Sequence, residues 1–207
     1  MTVDPRLEEQ LRQGFKYFNR FMLSLWRLGL GPMLNMGPTM AGRYMVITHT
    51  GRKSGLKRRT PVNYAVVNDE VYCTAGFGSG SDWYRNIIVN PQVEVWLPDG
   101  WWAGIAEEVT HPEARLPLLR DVLIGSGFAA LAAGVDPNKM TDEELDAATK
   151  EYRLIHIRRV APRTGQDGPG DLAWVWPVVT MILLPLLLIF PIFCRKCKGK
   201  CQGNCRC

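Results

Sequence analysis

The sequence predicts an α+β fold, mainly antiparallel β: a small closed sheet with flanking helices, followed by a C-terminal hydrophobic helix. Three observations carry this reading. Short runs rich in β-branched and aromatic residues recur between turn residues from Arg43 to Val160. The alternating strand–helix–strand text of a doubly wound nucleotide fold is missing. Near the C-terminus, Leu172–Phe193 carries no charge and reaches the roughly 20 apolar residues that span a hydrocarbon layer.

From Pro5 to about Leu30, apolar residues recur at Leu7, Leu11, Phe15, Phe18, Met22, Leu25 and Trp26, one face of an amphipathic helix. The Gly- and Pro-rich stretch after Leu30 ends it. Strand text follows in RYMVITHT, TPVNYAVV, EVYCTAGF, QVEVWLP and WWAGIAEEV. Turn signals separate the runs at Gly51–Gly55, Asn68-Asp69 and Pro98-Asp99-Gly100. SDWYRNIIVNP reads as a short helix that Ser81 caps and Pro91 ends. Thr110 with Glu113 reads as a capping box opening a helix towards Phe128, with Pro117 inside it, and Thr141 with Glu144 repeats the signature. YRLIHIRRV closes the body as a last strand.

In domain terms, residues 1–40 form the N-terminal helical segment and residues 41–161 the sheet domain. Residues 162–171 are a linker by composition, 172–193 a hydrophobic membrane segment, and 194–207 a basic Cys-rich tail. Hydrophobic residues make up 46% of the chain, enough for a core, and the net charge is a modest +5. The basic residues concentrate locally, which suits anion-facing sites rather than a nucleic-acid surface. Only Cys73 lies in the body; Cys194, Cys197, Cys201, Cys205 and Cys207 crowd the tail. That is not the spread of a disulfide-stapled secreted domain, and the N-terminus has no signal-peptide pattern, so the body reads as cytosolic.

One motif stands out chemically. Arg52, Lys53, Lys57, Arg58 and Arg59 crowd a turn framed by Gly51 and Gly55. Glycines let backbone N–H groups approach a ligand, and Arg and Lys neutralise phosphate or carboxylate. The lysine of GRKSG precedes the second glycine, so this is not the nucleoside-triphosphate loop. GSGSDWYRN adds a small-residue loop entering a helix, with Trp83, Tyr84 and Asn86 behind it. His49, His111 and His156 lack metal-ligand spacing and an evident nucleophile partner. No protein residue is assigned a catalytic role, and no metal is assigned; chemistry would come from a bound cofactor.

TGRKSGLKRRTPVNY followed by AGFGSGSDWYRNIIVNPQVEV resembles the deazaflavin-dependent nitroreductase and quinone reductase family. That resemblance implies a split β-barrel that binds coenzyme F420, with an FMN-binding relative or a non-catalytic cofactor-binding protein as alternatives. It places Arg52, Lys53, Ser54 and Arg58 on the coenzyme's phosphate and glutamate tail, and Thr60, Pro61 and Asn63 along the cofactor. Ala75, Gly76 and Phe77 would line the deazaflavin ring; Trp83, Tyr84 and Asn86 would close the pocket. The implied reaction is hydride transfer from the reduced deazaflavin to a quinone- or nitroaromatic-like acceptor. The expected partners are that acceptor and the membrane through the C-terminal segment, with homodimerisation left open and no nucleic acid. The expected location is the cytoplasmic face of the cell membrane.

Overall fold

The computed structural model of the chain describes residues 5–35 and 42–185. The chain divides into two compact units, residues 1–171 and 172–207. In the first, six antiparallel strands close into a barrel of order β1-β2-β3-β6-β5-β4. They are β1 (Tyr44–Thr50), β2 (Lys57–Val67), β3 (Glu70–Ala75), β4 (Gln92–Leu97), β5 (Gly100–Glu108) and β6 (Arg153–Pro162). The helices are α1 (Pro5–Arg27), α2 (Gly31–Leu34), α3 (Asp82–Val89), α4 (Pro112–Gly125), α5 (Phe128–Ala132) and α6 (Asp142–Ala148).

Strand alternation builds the interior. Met45 and Ile47 of β1, Val62 and Tyr64 of β2, Val71 and Cys73 of β3, and Ile155 and Ile157 of β6 form one buried cluster. β1 pairs with β2 from Tyr44↔Asn63 to Thr50↔Lys57 and with β4 through Val46↔Trp96, which closes the cylinder. Asn68 and Asp69 both take positive φ in the two-residue turn joining β2 to β3, where the sequence places a turn. The register shifts between Ala103 and Gly104, a bulge that helps β5 bend around the barrel.

Two outer layers cover the cylinder. On one side α4 packs Leu119, Val122 and Leu123 with Ala65 and Leu154. On another, Trp26 of α1 is buried with Val46 and Trp96, and the Arg59 guanidinium lies 5.0 Å over the Trp96 ring. Of residues 162–171, expected as a linker, Pro162 is the last residue of β6, and the end of the stretch packs back on this layer: the Gly170 N–H donates to the Trp26 carbonyl, and Arg27 holds Asp171 at 2.8 Å.

Three local expectations are corrected. β2 starts at Lys57 rather than Thr60, so three of the five cations lie on a strand. α4 begins two residues past Thr110, with His111 as its backbone cap and Pro112 in its first turn; the expected Thr110–Glu113 box does not form. The reason is that Val109 is still tied to the sheet through its N–H bond to the Leu154 carbonyl. Ser81 occupies the cap position of α3 without a side-chain cap bond. The Thr141–Glu144 box does form, in both directions.

In the second unit, residues 175–185 are helical. The expected membrane-spanning helix Leu172–Phe193 is not supported: among the described residues, no helix is long and apolar enough to cross a membrane. Residues 186–193 of that segment, and the Cys-rich tail, lie outside the described residues.

Candidate functional site

The turn between β1 and β2 is set by its glycines. Gly55 takes φ +66°, its N–H donates to the Gly51 carbonyl at 2.8 Å, and Gly51 N–H donates to Leu56 O at 2.9 Å. A Cβ on Gly51 would lie 2.8 Å from Ser54 Oγ and 2.9 Å from Arg58 Nε. A larger residue there would push the Ser54 and Arg58 side chains from the positions they hold against the turn.

Strand alternation then sorts the basic cluster. Lys57 turns to Glu94 at 3.1 Å and Arg59 to Trp96, both on the barrel exterior. Arg58 faces the other way, into a cavity of about 200 Å³ lined by Gly51, Arg52, Lys53, Ser54, Arg58, Asp82 and Asn86. Among the described residues, neither Lys53 nor Arg58 makes an ion pair. Arg52 donates from Nη2 to Asp82 Oδ1 at 2.9 Å, and that hydrogen bond holds the Asp82 carboxyl below its ordinary range. Three cations against one carboxylate leave the cavity positive, which suits a phosphate or polycarboxylate.

α3 plugs the barrel end. Ile87 enters the interior cluster and Asn86 is buried beside it. The Asn86 oxygen accepts from Arg52 N–H at 3.1 Å and Arg52 Nη1 at 2.9 Å, and its nitrogen lies 3.2 Å from His49 Nδ1. His49 Nε2 lies 3.2 Å from Thr60 Oγ1. Burial, and then the Arg58 charge, lower the His49 pKa to about 4, so the ring is neutral at physiological pH.

Further along β2 a cleft of about 290 Å³ opens, lined by Thr60, Pro61, Val62, Asn63, Gly76, Phe77, Trp83 and, from α1, Asn19. It shares Asn63, Thr74, Gly76 and Phe77 with an apolar recess of about 210 Å³ walled by Leu123, Ala129, Ala130, Ala133 and Tyr152. Gly78, at φ +54°, lets the chain pass under the Glu151 carbonyl; a Cβ there would lie 2.3 Å from that oxygen.

Of the expected residues, Arg52, Lys53, Ser54, Arg58 and Asn86 therefore meet at the cationic cavity, and Thr60, Pro61, Asn63, Gly76, Phe77 and Trp83 at the cleft. Ala75 and Tyr84 line neither. Ala75 is buried in β3 opposite Arg153. Tyr84 turns to Glu108, donating to Oε2 at 2.8 Å; burial and that bond raise its pKa. Neighbouring residues on a helix diverge by about 100°, so Trp83 and Tyr84 face different ways. Sequence reasoning missed His49 and Asp82. Asp82 carried a usable signal, a carboxylate in the first turn of a helix that follows a cationic loop.

No curated protein sequence matches the chain. Solved structures of similar fold include a conserved hypothetical protein from Mycobacterium tuberculosis, 22% identical, covering 60% of this chain and 75% of that one at a TM-score of 0.42. A putative 5-nitroimidazole antibiotic resistance protein from Bacteroides thetaiotaomicron is 12% identical, with 61% and 78% covered and a TM-score of 0.43. An F420-H2 dependent reductase is 22% identical, with 56% and 92% covered and a TM-score of 0.39. The family model described as F420H(2)-dependent quinone reductase matches residues 30–136, more than half of the 207-residue chain. That stretch contains the cationic turn, the plug helix α3 and most of the cleft wall, and the chain belongs to the F420H(2)-dependent quinone reductase family, oxidoreductases whose cofactor is coenzyme F420.

Proposed function

We propose that the chain binds coenzyme F420 with its acidic tail in the Arg52–Lys53–Arg58 cavity and its ring in the adjoining cleft, and reduces a quinone- or nitroaromatic-like acceptor there. The observation that carries this reading is the placement of Arg58 and Thr60 two residues apart on β2, one lining a cationic cavity and the other an uncharged cleft. A molecule with an anionic end and a flat ring matches that sequence of surfaces.

When bound, the reduced coenzyme supplies the hydride. The protein's work is binding and placement. Arg58 and Lys53 have charge to spare for phosphate and carboxylate oxygens, and Arg52 is held in place by Asp82 and Asn86. Pro61, Gly76 and Trp83 offer a wall on which a ring can lie flat, and Asn63 and Thr60 offer polar groups at its edge. The apolar recess between Leu123, Ala130 and Tyr152 would take the acceptor and keep water from it. An uncharged acceptor suits that recess, since no charged side chain lines it.

The test is direct. Oxidised coenzyme F420 titrated into the full chain should lose fluorescence saturably, and the reduced coenzyme should be oxidised faster when a soluble quinone is added. Failure to bind at high micromolar coenzyme overturns the reading. We also place the protein at the cytoplasmic face of the membrane, on the strength of the uncharged sequence Leu172–Phe193 and the basic residues after it. Flotation of the full chain with anionic vesicles, compared with a chain ending at Asp171, decides that point.

A further inference from the structure

The bonds around Asn86 fix the proton positions of a relay that joins the two cavities. Two N–H donors, the Arg52 backbone and Arg52 Nη1, converge on Asn86 Oδ1 at 3.1 and 2.9 Å. The amide oxygen therefore faces Arg52, and the nitrogen, which can only donate, faces His49 Nδ1 at 3.2 Å. Nδ1 must accept. A neutral imidazole then carries its proton on Nε2, which donates to Thr60 Oγ1 at 3.2 Å. A hydroxyl that accepts from His49 turns its own proton elsewhere. Among the described residues the Thr60 hydroxyl has no other hydrogen-bonded partner, and Thr60 lines the cleft.

We infer that His49 is a positioning residue: buried between the cavities and lining neither, it locks Thr60 as a hydrogen-bond donor into the cleft. Its polarity is set from the far end of the relay, by Arg52 at the cationic turn. The cleft half of this inference rests on the cofactor reading above, with the Thr60 hydroxyl donating to an acceptor atom on the bound coenzyme's ring edge. Alternation supports the geometry. His49 falls in register with Met45 and Ile47 on the interior face of β1, and Thr60 with Val62 and Tyr64 on that of β2, so the ring bridges two neighbouring strands inside the barrel end closed by α3. His49 is 3% exposed, so its ring is largely withdrawn from bulk water and its hydrogen bonds act in a low-dielectric setting.

The test uses ¹⁵N NMR of imidazole-labelled full chain at pH 8, without coenzyme, on the natural protein and on Asn86→Asp. The carboxylate of the variant accepts where the amide donated. The expected result is an Nε2–H tautomer in the natural protein and an Nδ1–H tautomer in the variant, whose Thr60 would then donate back to the ring. Binding supplies the second readout. Thr60→Val should weaken coenzyme F420 binding about fivefold to tenfold in the natural background, the worth of one hydrogen bond, and change nothing in the Asn86→Asp background. A proton that stays on Nε2 in both proteins, an Nδ1–H tautomer in the natural one, or an equal cost of Thr60→Val in both backgrounds overturns the relay. A natural chain with the Nε2–H tautomer that fails to bind the coenzyme overturns the cofactor reading and leaves the relay standing.

Discussion

Arg52 reaches across to Asp82 at 2.9 Å, so the turn that presents charge to a ligand is itself tethered to the helix that plugs the barrel. The pair is lopsided, with Asp82 mostly in water and Arg52 largely covered. Exposed ion pairs of this kind contribute about 0–1 kcal/mol, so Asp82→Asn should shift the unfolding midpoint little. Electrostatics should show the larger effect. Removing the one carboxylate in the cavity should speed association of an anionic ligand at low salt, with the gain fading as salt rises; stopped-flow binding at two ionic strengths checks it.

Arg58 has the opposite profile. It makes no ion pair among the described residues, so its loss costs the fold little. Arg58→Met, which keeps the stem, should weaken coenzyme F420 by about 10- to 100-fold, corresponding to about 1.5–3 kcal/mol for a charge-assisted bond. Circular dichroism and a binding titration separate the two readouts.

The buried imidazole gives stability a pH dependence. The folded-state pKa of His49, about 4, lies below its ordinary value of 6.5, so between those values the unfolded chain takes up the proton and the folded one does not. Stability therefore falls as pH drops from about 6.5 towards about 4, by about 3 kcal/mol once the window has been crossed. Denaturant unfolding at pH 7 and pH 4.5 should show most of that loss, and His49→Gln should flatten the part of it that belongs to the ring.

Gly78 is a point where backbone geometry admits no side chain without strain. Gly78→Ala would force φ +54° on an alanine and drive its Cβ into the Glu151 carbonyl. A cost of about 2 kcal/mol or more is expected, read as a lowered melting temperature, while Gly80→Ala, with open space around it, should leave the midpoint nearly unchanged.

Period-two runs and Asn68-Asp69 exposed the strands and their tightest hairpin, because those signals act over a few residues. The five-cation cluster was visible as a cluster. Its division was not, since only knowing that β2 begins at Lys57 sends Arg58 one way and Lys57 and Arg59 the other. The Asn86–His49 contact joins residues 37 apart, and nothing near His49 distinguishes it from an ordinary strand residue. Likewise the Thr110–Glu113 pair had the right letters for a cap, but Val109 was already bound to a neighbouring strand.

The pairing of β1 with β4 bears on how the molecule meets other chains. β1 is paired on both sides, with β2 along its whole length and with β4 through Val46–Thr48, so the middle of that strand offers no bare amides and carbonyls for a foreign strand to extend. Recruitment by strand addition is closed to the middle of β1 while the barrel stays folded, and a companion there must grip side chains instead.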